Sequence, residues 1–288
     1  MSTNTIPITP PQRQRLKAHF GMTRVPFCKT IQTHQMFDSS SQRELYHSLI
    51  LWSEIRGMTL VIGDPGVGKS ITLRRLVYDL DKNHFNVYKL SCVPSTPVGV
   101  LRSLCRVLGL PVLNHGADLF DAVQNHLASY QHENGPHPLL VIDDADGMKT
   151  SCLDVLRRLT TYDLDAEDRF SLILSGTEAL VRTLRHPTLK PLRSRFVFSQ
   201  SLRPFNLEDT RNYITYHLQR VDAPHSLITD PAVSKIFALS KGIPREINQV
   251  VQYLLIKAAA CGIEQIDGDF AAAKISENPL LGFGSEEV

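Results

Sequence analysis

Gly63-Asp64-Pro65-Gly66-Val67-Gly68-Lys69-Ser70, entered by the apolar run Met58-Thr59-Leu60-Val61-Ile62, constrains this chain more than any other stretch. It fits the pattern G-x-x-x-x-G-K-[ST] at every required position. The glycines admit turn conformations closed to residues with a Cβ, so consecutive backbone N–H groups from Gly63 through Ile71 can point inward at a polyphosphate. Lys69 supplies a point charge for the β and γ phosphates, and Ser70 offers a hydroxyl to Mg²⁺. Ile71-Thr72-Leu73-Arg74-Arg75-Leu76-Val77-Tyr78 leaves the loop with helical spacing, and the positive end of that helix adds to the anion site. The stretch implies a bound nucleoside triphosphate, with Asp64, Pro65 and Val67 completing the cradle.

Five apolar runs alternate with helical patterns: 58–62, 85–90, 139–142, 170–174 and 196–199. That alternation predicts an α/β fold with a parallel sheet. Leu139-Leu140-Val141-Ile142, wholly apolar, reads as a central strand buried on both faces. Helices are predicted over 41–55, 98–108 and 118–130. After Pro204 the strands stop, and 207–221, 231–239, 244–261 and 269–275 read as helices. Asp230-Pro231 reads as an N-cap and first-turn pair, and Gly242 as a stop. The predicted organisation is a basic arm and docking segment (1–37), an α/β nucleotide-binding domain (38–203), a helical lid (204–275) and a tail (276–288). The arm holds Arg13, Arg15, Lys17, Arg24 and Lys29 without an acid, which suits a solvated tail or contact with phosphates or a neighbouring subunit. His19-Phe20-Gly21-Met22 and Val25-Pro26-Phe27 bring aromatics expected to dock on the core. The tail around Leu280, Leu281 and Phe283 reads as a frayed end or a recruitment peptide.

The net charge of +2 over 288 residues argues for no general affinity for nucleic acid. Five cysteines without a Cys-x-x-Cys pair suit reduced thiols. His132-Glu133 with His137 fails as a zinc helix, because the second histidine is one position late and Gly135-Pro136 interrupts. No run approaches the roughly 20 apolar residues of a membrane span, and the amino terminus lacks a signal-peptide core. A soluble, cytoplasmic protein without a membrane partner is expected.

Val141-Ile142-Asp143-Asp144 ends an apolar strand in two carboxylates. In a triphosphatase the first, Asp143, holds the Mg²⁺ shell beside Ser70, and the second, Asp144, orients or deprotonates the attacking water. Asp144-Ala145-Asp146-Gly147 spells D-x-x-G, but no Asn-Lys-x-Asp exists to read guanine, so adenine is expected. Ser175-Gly176-Thr177 follows the fourth strand; Thr177 can approach the γ-phosphate or cap the helix from Glu178. Arg193 and Arg195, in a stretch free of acids, can belong to a solvated face or reach a neighbouring subunit's phosphate as arginine fingers.

Together these residues resemble the AAA+ ATPases, over about residues 20–275. The resemblance rests on Gly63 to Ser70, Val141 to Asp144, Arg193-Ser194-Arg195-Phe196 and Gly242-Ile243-Pro244-Arg245-Glu246-Ile247-Asn248. It implies that Arg245, at the start of a lid helix, reaches the nucleotide as a second sensor. Within that group the chain is similar to the ExeA-like and TniB/TnsC-like ATPases, through His19 to Met22, Pro26-Phe27, Gly176 to Leu180 and Gly242 to Asn248. The secretion members are similar here but carry a membrane span and a wall-binding domain. The sequence stops before either, which is the ground for expecting the transposition-regulator branch. That branch implies an oligomer, ring or helical filament, that assembles with ATP and Mg²⁺ on double-stranded DNA and recruits a transposase or integrase. The basic side chains nominated for DNA are Arg102, Arg106, Lys149, Arg157 and Arg158. The alternative is a secretion-linked or chaperone-like ATPase acting on a protein; a small-molecule kinase fits the helical lid poorly. One departure matters. The family usually has Asp-Glu where this chain has Asp143-Asp144, which sets the second carboxylate roughly 1.5 Å further back and implies slow hydrolysis.

Overall fold

A computed structural model describes residues 16–28, 35–55, 57–90, 94–130, 136–161, 169–279 and 281. Arg13, Arg15, Lys29, Cys92, His132-Glu133 and the tail residues Leu280 and Phe283 lie outside them. The backbone divides into two compact units, residues 41–203 and residues 1–40 with 204–288.

The first unit opens with helix α1 (Ser40–Ile55), which buries Leu45, Leu49 and Trp52 along one stripe. Strand β1 (Met58–Ile62) leads through the glycine-rich loop into α2 (Lys69–Asp79), followed by β2 (Phe85–Leu90). Helix α3 (Pro97–Val107) begins where Thr96 accepts a hydrogen bond from the Gly99 N–H at 3.2 Å, with Pro97 in the first turn. Helix α4 (Gly116–Ala128), β3 (His137–Ile142) and α5 (Thr150–Leu159) come next. Strand β4 (Ser171–Gly176), α6 (Glu178–Leu184), α7 (Lys190–Arg193) and β5 (Phe196–Ser201) close the unit.

The five strands form one parallel sheet in the order β2-β3-β4-β1-β5. Residue type follows position in that order. β3 and β4 are buried at every residue, and β5, at an edge, alternates half-buried with exposed side chains. The order carries the functional consequence: β4 lies between β1 and β3, so the end of β4 separates the glycine-rich loop from the carboxylates that follow β3. Leu104, Leu119, Leu140, Ile142, Leu153 and Leu172 fill the core around the sheet. Truncating any of them to Ala would cost about 2–5 kcal/mol.

The second unit is helical: α8 (Leu207–Gln219), α9 (Asp230–Ser240), α10 (Pro244–Cys261) and α11 (Gly268–Ser276). Asn206 caps α8 through the Asp209 N–H at 2.7 Å, and Asp267 caps α11 through the Phe270 N–H at 2.8 Å. Thr229, not Asp230, holds the N-cap position of α9; the Asp230 carboxylate instead pairs with Arg211 at 2.8 Å. The aromatics ahead of α1 pack in this unit. Phe20, Met22 and Phe27 are buried with Ile214, Leu218, Ile247 and Leu254, and the Thr23 N–H bonds to the Val221 carbonyl at 3.0 Å.

Candidate nucleotide site

The loop between β1 and α2 is shaped by its own backbone. Gly68 sits at φ 114, a conformation that L side chains rarely adopt, and a Cβ there would come within 2.5 Å of Gln42 Nε2. Gln42, buried on α1, therefore lies against the loop, a neighbour with no local sequence signal. Gly68 occupies the N-cap of α2 and brings no side-chain cap, so the first-turn N–H groups of that helix have no side chain at the cap to accept from them. An anion is the partner that such a terminus suits.

Lys69 is buried, 6 % exposed, and its Nζ donates to the carbonyls of Gly63 at 2.7 Å and Asp64 at 3.2 Å. Burial lowers its pKa below the ordinary lysine value, while Asp146, Asp144, Asp143 and Asp64 pull the other way. The ammonium is thus held in a desolvated place where carboxylate charges act on it. Ser70 is exposed at the next position.

Past β3, the Asp143 N–H continues the sheet by donating to the Leu90 carbonyl at 2.9 Å, which fixes the half-buried Asp143 at the strand end. Asp143 Oδ1 accepts the Asp144 N–H at 3.0 Å. Asp144 is exposed and left-handed, φ 52 and ψ 45, at the start of a short 3-10 turn, Ala145–Gly147. Aspartate tolerates that region better than most residues with a Cβ. In this fold the turn after β3 brings both carboxylates to the side of the sheet where Lys69 lies.

Thr177 caps α6: its Oγ1 accepts the Ala179 N–H at 3.2 Å. Its hydroxyl also donates to Asp146 Oδ1 at 2.7 Å, and its N–H reaches the same oxygen at 2.8 Å. Asp146, which the sequence reading passed over, therefore joins the ends of β3 and β4. Its signal was the acid-rich spacing Asp143-Asp144-Ala145-Asp146-Gly147, where the third acid falls on the inner side of the turn.

The two arginines before β5 differ. Arg195 donates to Thr160 Oγ1 at 3.2 Å within its own chain. Arg193 is exposed at the end of α7, with one long contact to the Leu184 carbonyl at 3.4 Å. Arg245 is exposed in the first turn of α10, in the helical unit. Of the basic side chains nominated for DNA, Arg157 is paired with Asp154 at 2.6 Å and Arg158 lies 4.6 Å over the Phe120 ring. Arg102, Arg106 and Lys149 are exposed.

A parallel sheet in this order, with a glycine-rich loop after β1 and paired acids after β3, is the P-loop NTPase fold of AAA+ type. Residues 54–184 match the family model described as an AAA domain. The chain is 29% identical over 259 residues to the general secretion pathway protein A of Aeromonas hydrophila, covering 88% of this chain and 47% of that protein. It thus spans about half the length of this relative. Among solved structures it is similar to Cdc6p of Pyrobaculum aerophilum, with a TM-score of 0.66 at 17% identity, over 87% of this chain and 70% of that one. It is also similar to the Aeropyrum pernix ORC1 protein, solved in complex with DNA, with a TM-score of 0.59 at 16% identity, over 92% and 69%. The RuvB Holliday junction branch migration motor of Thermotoga maritima gives 0.52 at 20%, over 85% and 73%. Such identities speak for a shared fold alone. No described helix is long and apolar enough to cross a membrane.

Proposed function

We propose that this chain is a slow, Mg²⁺-dependent ATPase that works as a nucleotide switch in an assembly of its own copies on duplex DNA, where it directs a transposase or integrase to its target. One observation carries the nucleotide part. The Lys69 ammonium is buried and held by the Gly63 and Asp64 carbonyls of the loop, where the charges of Asp146, Asp144 and Asp143 act on it. A polyphosphate fits the loop, Lys69 and the helix terminus. Ser70 and Asp143 would hold Mg²⁺, which supplies charge neutralisation to the phosphates. Asp144 orients the attacking water and accepts its proton, from a carboxylate one methylene shorter than glutamate. Arg193, exposed where Arg195 is engaged, is the better residue to lend a neighbouring subunit's site, and Arg245 would read the nucleotide from the helical unit. The DNA part rests on the resemblance in Gly176 to Leu180 and Gly242 to Asn248, and on the exposed Arg102, Arg106 and Lys149.

A second reading, a protein partner in secretion, is favoured by the name of the Aeromonas hydrophila relative. The deciding experiment is ATP turnover and electron microscopy of wild type and Lys69→Ala, with and without duplex DNA. ATP-dependent particles on DNA, weakening steeply with salt and indifferent to sequence, are expected. Lys69→Ala should lose about 10- to 100-fold in ATP affinity, because a hydrogen bond to a charged group is worth about 1.5–3 kcal/mol. No response to DNA, with stimulation by a protein, would move the assignment to the second reading. No ATP binding by wild type would end both.

A further inference from the structure

Three of the nine large apolar side chains exposed among the described residues, Val98, Val112 and Leu113, gather at one place. The chain after α3 turns back along that helix. The Leu110 N–H bonds to the Cys105 carbonyl at 2.8 Å, and a Cβ on Gly116 would lie 3.3 Å from Val98 Cγ2. Pro111 to His115, between those two contacts, is exposed at every residue. The N–H groups of Val112 and Leu113 bond to no described residue. Along α3, Arg102 and Arg106 follow Val98 by four and eight residues, so the three share a face. Both arginines are exposed and neither is ion-paired among the described residues, whereas Arg157 on α5 is held by Asp154. An apolar end, two cations in line and free backbone donors suit an extended segment with a large apolar side chain ahead of its acids. Duplex DNA would satisfy the arginines and leave the apolar end in water.

The chain itself carries such a segment. Gly282-Phe283-Gly284-Ser285-Glu286-Glu287-Val288 holds an aromatic, two adjacent acids and no base. The lengths agree. Val98 to Arg106 is a run of helix about 12 Å long, and Phe283 to Glu287 in extended form is about 13 Å. Those tail residues lie outside the described ones; Leu281, just before them, packs against the apolar cluster of the helical unit. We propose that the α3 face of one copy takes residues 283–287 of a second copy, with Phe283 on Val98, Val112 and Leu113, and Glu286 and Glu287 on Arg102 and Arg106. Tail and face belong to different compact units. The contact is therefore head-to-tail and links copies in series, as a ring or a filament requires. It needs no nucleotide, and so stands or falls apart from the ATPase reading.

The test has two readouts, both without nucleotide. In the first, a fluorescent peptide of residues 278–288 is titrated with the full chain, its own tail disabled by Phe283→Ala, Glu286→Lys and Glu287→Lys. Binding should weaken about 10-fold or more when Arg102→Glu and Arg106→Glu are added, since two attractions become repulsions. Val112→Ser with Leu113→Ser should also weaken it, and that loss should not depend on salt. The Arg102→Glu, Arg106→Glu chain should regain affinity for a peptide carrying Glu286→Lys and Glu287→Lys, which a merely structural role of the arginines would not produce. In the second, sedimentation velocity of the otherwise unaltered chain should show self-association that falls with Phe283→Ala and with the two arginine reversals. Failure of the intact peptide to bind overturns the proposal. Peptide binding without any change in self-association places the tail on its own chain and overturns the second copy as its source. Duplex DNA that binds through Arg102 and Arg106, with the peptide indifferent to Val112→Ser and Leu113→Ser, gives the face to DNA instead.

Discussion

At the scale of single residues, Asp144 is where two constraints meet. Under the proposed function the carboxylate after Asp143 has to reach a water, while its backbone passes through a left-handed turn, φ 52, to start the Ala145–Gly147 segment. Aspartate suits the second demand and serves the first poorly, because it is short. A positioned base contributes about 10² to 10⁴ in rate, so Asp144→Glu should raise ATP turnover by about tenfold or more. The same change should lower stability by up to about 1 kcal/mol, since glutamate lacks the local hydrogen bonding that eases aspartate into this region. Steady-state turnover and urea unfolding on one preparation read both effects; turnover that stays level or falls would sink the claim that chain length limits the base. The shorter side chain is visible in the sequence. The strained backbone that favours it is visible only in the fold.

At the scale of elements, α8 carries a group that couples the helical unit to pH. His217 lies among Phe27, Tyr213 and Tyr216, with ring centroids 5.0, 4.4 and 5.6 Å away, and its Nε2 is buried without a partner. Burial first, then the nearby Arg220 charge, lowers its pKa from 6.5 to about 4. The unfolded chain therefore binds a proton between those values that the folded chain refuses. Stability is fully present above pH 6.5 and is lost as pH falls towards 4, by about 3 kcal/mol at one pKa unit per 1.36 kcal/mol. Thermal unfolding at pH 7 and pH 4.5 should show a smaller drop in His217→Phe than in wild type, and equal drops would refute the assignment. In the same unit Gly242, at φ 75, lies so close to the Phe205 backbone that a Cβ would come within 1.9 Å of that carbonyl oxygen. The Gly-x-Pro-Arg segment is accordingly pinned by its glycine, and Arg245 enters α10 from a fixed start.

At the scale of the whole molecule, the proposal requires a site completed by a second copy. The α/β unit holds the loop and the carboxylates, and also Arg193, exposed at the end of α7. Arg195, bonded to Thr160, is better placed to secure its own subunit. Arg193→Ala and Lys69→Ala should each abolish most turnover, as a lent arginine is worth about 10³ to 10⁵ in rate. Mixed together they should recover part of it, because some contacts then pair an intact loop with an intact arginine. Mixtures as inactive as their components would mean that Arg193 does not act across subunits.

Much of the fold was legible because its signals are local. The loop spacing at 63–70, the apolar runs of β1 to β5 and the change to helical periodicity after Pro204 are written in neighbouring residues, and the observed elements fall within a few positions of them. Helix α5 carries the same kind of signal in Cys152, Leu153, Leu156 and Leu159, all buried, although the eye goes to its arginines. By itself, then, the sequence determined an α/β chain with a phosphate loop and paired acids, since turn chemistry and side-chain period act over a few residues. Only the tertiary structure decided that β4 stands between β1 and β3, that Gln42 lies against Gly68, that Asp146 takes the Thr177 hydroxyl, and that Phe20 and Phe27 are buried with the C-terminal helices. Those outcomes depend on which distant surfaces bury one another, and the free energy of that choice is spread over the whole core rather than held in any one segment.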